Sequence, residues 1–155
     1  MDRSEWREFY AKRKLAECLR DLAGWHPFMV YTGSWCITGP CGDGPQPVIP
    51  RDAEAWNRHP DAFAHLLPDP DAPANWGVWL GWLWRNTSGH IRLDADRDWW
   101  SARWTPEHRR RHVETLRFLC PARALLTLVC MTRSSDSLPP SVQAWWAEQQ
   151  EARHG

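Results

Sequence analysis

The chain has 155 residues, and its 19 Lys and Arg are balanced by 19 Asp and Glu, so the formal net charge is zero. That balance gives no general field to attract nucleic acid or an anionic membrane, and no apolar run approaches the length of a bilayer span. The length fits one domain able to bury roughly 70% of its unfolded surface without disulfides or metal. Met1–Arg20 is charged throughout, unlike a secretory signal, and the five cysteines are an odd number. Both features point to reduced thiols and a cytoplasmic location.

The first predicted element is a helix over Arg3–Ala23. Asp2 and Glu5 have capping-box spacing and Gly24 is a natural stop. Ala11, Leu15, Cys18, Leu19 and Leu22 make one apolar stripe. Trp6 and Tyr10 lie nearly opposite, with Phe9 towards the edge. Either another segment covers this aromatic end, or it is a surface for a partner. Phe28–Thr38 is rich in strand formers and breaks at Gly33-Ser34. Gly39–Pro50 carries three glycines and four prolines, a long loop of the kind that often has a function. Asp52 can cap a short helix through Arg58, and Pro60 separates it from a second over Asp61–Leu67. Leu67–Asn75 reads as extended.

Trp76–Trp104 holds seven of the 13 tryptophans. A β-hairpin and a helix compete for its first half. As a helix, Trp76, Trp79, Leu80, Leu83 and Trp84 would line up. As a hairpin turning through Asn86–Gly89, pairing Arg85 with His90 sets Trp84 opposite Ile91, Trp82 opposite Leu93 and Leu80 opposite Ala95. Two glycines four apart weaken a helix interior. The expectation is therefore a central Trp-rich hairpin over 76–95. Thr105-Pro106-Glu107 is a strong helix start, predicting a helix over 105–119 with Val113, Leu116, Leu119 and Cys120 inward. Ala122–Thr132 is continuously apolar, and its Thr127 and Val129 favour a buried strand over a helix. A last helix over 140–153 puts Val142, Trp145 and Trp146 on one face. This order predicts a single α+β domain with a mainly antiparallel sheet.

Candidate chemistry is sparse. Cys36 and Cys41 with His59 and His65 are a zinc-type donor set, though the gap between the pairs is long and Pro60 intervenes. Zinc is the only cofactor the sequence suggests. Asp94, Asp96 and Asp98 alternate like the start of a calcium loop, but Thr105 stands where the closing glutamate belongs. In His108–His112, Arg109 and Arg110 at a helix start suit an anion, and Trp99, Trp100 and Trp104 suit stacked bases. Zero net charge disfavours nucleic acid as the main partner. Cys36 or Cys41 with His26 or His59 would serve a hydrolase or transferase with its site near the 39–50 loop, but no phosphate-loop, dinucleotide, nucleophile-elbow or HExxH motif occurs.

The surplus of tryptophan and arginine is the better clue, since both are enriched at interface hot spots. Neighbours in an extended segment point to opposite faces, so one of Trp99 and Trp100 should face outward. The sequence is read as a small soluble interaction protein, an inhibitor or adaptor of the kind phages and mobile elements encode. It would grip a protein partner through Trp6, Tyr10, Trp99, Trp100, Arg109 and Arg110.

Overall fold

The computed structural model describes residues 2–23, 35–37, 46–47, 58, 67–68, 70–71, 73–108 and 111–154. Within them the chain runs α1 (Arg3–Ala23), β1 (Trp35–Ile37), β2 (Gln46–Pro47), β3 (Leu67–Pro68), α2 (Pro73–Asn86), β4 (His90–Asp96), β5 (Trp99–Thr105), β6 (Val113–Glu114), α3 (Pro121–Thr132) and α4 (Pro140–His154). Two three-stranded antiparallel sheets form, ordered β2-β1-β3 and β4-β5-β6. The fold is α+β with antiparallel sheets, as expected.

The first helix forms as its sequence predicts. Asp2 Oδ1 accepts from the Ser4 and Glu5 N–H groups at 2.7 and 2.9 Å, and Glu5 Oε2 accepts from the Asp2 N–H at 2.7 Å. This reciprocal cap satisfies donors that a helix start otherwise leaves open. Leu15, Cys18 and Leu19 are buried, and α1 packs on α4, α2 and β3.

The hairpin expected over 76–95 is not formed; Pro73–Asn86 is helical. Asn75, Trp79 and Leu83, spaced by four, are buried in one row. Burying a large apolar side chain contributes about 2–3 kcal/mol, while each glycine costs the helix only about 1 kcal/mol. Gly77 is exposed on the outer side, where it obstructs no packing. At the far end of the helix Arg133 donates to the Asn86 carbonyl at 2.7 Å and lies over the Trp82 ring, closing the C-terminus with a cation. The strand 90–95 does exist, but its partner is β5, in the register Leu93 to Ala102 and Asp96 to Trp99. A two-residue turn, Arg97-Asp98, with Arg97 at φ 57°, joins them.

The helix predicted over 105–119 is also absent. Thr105 ends β5, and 113–118 runs antiparallel along its edge. Between the pairs Arg103–Glu114 and Trp100–Phe118 this edge has one residue more than β5, a bulge. There the buried Thr115 donates its N–H to the Ala102 carbonyl and accepts the Ala102 N–H on Oγ1, both at 2.9 Å. The bulge turns Leu116 outward, so Leu116 and Leu119, expected in the core, are 62% and 70% exposed.

Ala122–Thr132, predicted as a strand, belongs to helix α3. Pro121 begins it where a missing N–H costs nothing. From Pro121 to Cys130 every residue but Arg123 is buried. A helix apolar on all sides belongs at the centre of a core, and α3 packs against α2, β5, β6 and α4. Helix α4 matches the expectation for 140–153, with Val142 and Trp145 buried. Among the described residues no helix is long and apolar enough to cross a membrane.

Candidate interaction surface

Helix α1 projects Trp6, Phe9 and Tyr10 on one end. Trp6 stacks on Tyr10 with ring centroids 5.7 Å apart, as side chains four apart on a helix can, and Phe9 meets both rings edge-on. Tyr10 is 53% exposed and Trp6 is half-buried. Within the described residues the cluster packs upon itself instead of entering the main core.

Beside Tyr10 a cleft of about 470 Å³ opens where α1, the 70–71 turn, the start of α3 and α4 converge. Its floor is apolar, built from Leu15 and Trp145, with Pro70 and Cys120 at one end. Its rim is charged. Lys12 is ion-paired with Asp71 at 3.1 Å and Lys14 with Glu148 at 2.9 Å. Arg7 has no acidic partner among the described residues, and Arg123 donates to the neutral Gln149 side chain at 2.6 Å while lying over the Phe118 ring. Partial burial lowers the Arg123 pKa, and nearby Arg153 adds to that effect. Arg123 and Gln149 also border a second concavity, which Leu116, Phe118, Trp146 and Arg153 complete. The two hollows thus lie side by side along a strip, with Arg123 and Gln149 on their common border.

Cys120, at the first cap position of α3, sits in the cleft with its sulfur 3.7 Å from the Pro70 carbonyl. A helix start usually favours a thiolate. Here burial dominates and pushes the thiol up to about 11, despite the neighbouring Arg123 and Ala122 N–H groups. Burial likewise raises Cys18 and Cys130 to about 12. All three thiols are free and protonated at neutral pH, which suits packing and not nucleophilic attack.

The remaining residues singled out in the sequence lie apart from this strip. Trp99 and Trp100 diverge as β-strand neighbours should: Trp99 is 45% exposed beside the β4–β5 turn, and Trp100 packs edge-on against Trp76 at 5.2 Å. Arg109 and Arg110 lie outside the described residues. So do Cys41, His59 and His65, while Cys36 is described only as part of β1. Most of the loop 39–50 is likewise outside them. Among the described residues no three His, Cys, Asp or Glu side chains gather as a metal site. Asp94 pairs with Arg92 at 2.9 Å and Asp96 with Arg117 at 3.5 Å. His108 and His112 are not on a helix.

The sequence singles out Trp6 and Tyr10, but not Arg7, Arg123, Arg153, Phe118 and Trp146, as residues of this candidate surface. Arg7 precedes Tyr10 by three residues and Arg153 follows Trp146 by seven, spacings that share a helix face and were available as signals. Nothing local marks Arg123 or Phe118, whose roles depend on how α3 meets the β5 edge. Compared with known proteins, the chain matches no family model, no curated protein and no solved structure.

Proposed function

We propose that this chain is an interaction protein that acts by occupying a surface on a protein partner, with the α1 aromatic end as its anchor. The observation that carries this reading is the stack of half-buried Trp6 on exposed Tyr10, beside a cleft whose Arg7 and Arg123 lack acidic partners among the described residues. Neither ring belongs to the described core cluster, and the half-exposed Tyr10 ring offers area to a partner. A desolvated aromatic or arginine anchor contributes about 2–4 kcal/mol to an interface, whereas solvated rim charges contribute little. Trp99 offers a second exposed aromatic on the β4–β5 hairpin.

Affinity capture from native extract, comparing the parent chain with Trp6→Ala and Tyr10→Ala, tests the reading. A stoichiometric protein partner should be lost from both variants while their melting temperatures stay close to the parent's. A captured set that is unchanged by both substitutions would remove α1 from the interface and sink the proposal.

A further inference from the structure

Resting on that reading, we infer that the strip between α1, α3 and α4 takes an acidic segment of the partner protein, with an apolar side chain on the Leu15–Trp145 floor and carboxylates on Arg7 and Arg123. The charges along the strip are uneven. Arg7, Lys12, Lys14, Arg123 and Arg153 line it, against the carboxylates of Asp71 and Glu148. Both carboxylates are already held by lysines, at 3.1 and 2.9 Å. The three guanidinium groups are therefore left without an acid among the described residues.

Arg123 is the most constrained of them. Its guanidinium is stacked on Phe118 with its centre 4.8 Å from the ring centroid, and it is tied to an uncharged amide. Arg153 lies near enough to repel it and is itself over Trp146, at 5.9 Å. Each of the two guanidinium groups lies over an aromatic ring, and the planar fork of such a group binds a carboxylate with two parallel hydrogen bonds. Supplying an anion there would relieve the repulsion as well as form the bonds.

A peptide fits better than a small carboxylate or a nucleic acid. The lining runs from Tyr10 to Arg123 in one hollow and from Arg123 to Leu116 and Trp146 in the next, which suits a chain that places side chains in both. Its apolar floor of Leu15 and Trp145 suits an apolar side chain, which a phosphate backbone does not offer.

The probe is a random-peptide library displayed on phage and selected against the immobilised full-length chain. Selected peptides should pair Asp or Glu with Leu, Phe or Trp, and as labelled free peptides they should lose affinity roughly tenfold or more to Arg123→Glu and Arg7→Glu. Arg7 lies on an exposed face of α1, so Arg7→Glu decides the matter should Arg123→Glu unfold the chain. Selected peptides without acidic residues, or acidic ones indifferent to both reversals, would overturn the inference. A mixed-sequence single-stranded oligonucleotide that binds with the same arginine dependence, in place of acidic peptides, would overturn it too. Non-acidic peptides that still need Trp6 and Tyr10 would refute only the acidic occupant. Acidic peptides that need Arg7 and Arg123 but not Trp6 or Tyr10 would support the strip and refute the aromatic anchor.

Discussion

Replacing Gly77, Gly81 and Gly89 singly by alanine should give opposite results within one short stretch. Gly77 lies on the exposed side of α2, and a methyl group there would meet nothing within 4 Å. Gly81 offers ordinary contact only, with Arg85 Nη1 at 3.5 Å. In a helix interior alanine is favoured over glycine by about 1 kcal/mol, which raises the melting temperature of a chain this size by about 2–4 °C. Gly89 differs on both counts. Its φ of +98° suits no L side chain, and an added Cβ would lie 2.3 Å from the Thr105 carbonyl oxygen and 3.1 Å from the Pro106 Cα. These are backbone atoms, so the strand end itself must shift, loosening the His90–Thr105 pair. Backbone strain of roughly 1–3 kcal/mol plus the displaced pair gives a loss on the order of 2–4 kcal/mol. Urea unfolding followed by far-UV circular dichroism and tryptophan fluorescence measures all three. A destabilised Gly77→Ala, or a Gly89→Ala variant as stable as the parent, would refute the placement of α2 and of its exit turn.

The bulge and the buried thiols give two further tests. Thr115→Val keeps the shape but removes the acceptor for the Ala102 N–H, and should cost about 1–3 kcal/mol in urea unfolding; a neutral result would mean that this N–H finds another partner. Stability should also fall as the pH rises from 9 towards 11–12. Below 9 the thiols are protonated in both states. Above it the unfolded chain releases protons that buried Cys18, Cys120 and Cys130 retain, so the unfolded state is favoured through that window. Other groups titrate there as well, so the comparison is with Cys130→Ala, whose alkaline decline should be shallower; an identical slope would exclude the thiol's contribution.

Local chemistry alone determined the two ends of this protein. The Asp2–Glu5 box starts α1, the stripe of Leu15, Cys18 and Leu19 buries it, and the Val142–Trp145 spacing sets the inner face of α4. These signals suffice because a cap and an amphipathic face act within a few residues of themselves. The opposite faces of Trp99 and Trp100 follow as directly from strand geometry.

The centre was decided by tertiary structure. Trp76–Asn86 carries both a period of two and a period of four, and the packing of α3 and α1 against it rewards the helical row of Asn75, Trp79 and Leu83. Thr105-Pro106-Glu107 is a sound helix start, yet β5 presents an open edge, and 113–118 satisfies it through Thr115 and Phe118. Ala122–Thr132 shows no period because it is buried on every side, which a strand and a central helix share. The charged strip belongs to the same class. Arg7, Arg123 and Arg153 are scattered across 147 residues of a chain with no net charge. They become one cationic surface only because α1, α3 and α4 converge while the nearby carboxylates are taken by lysines.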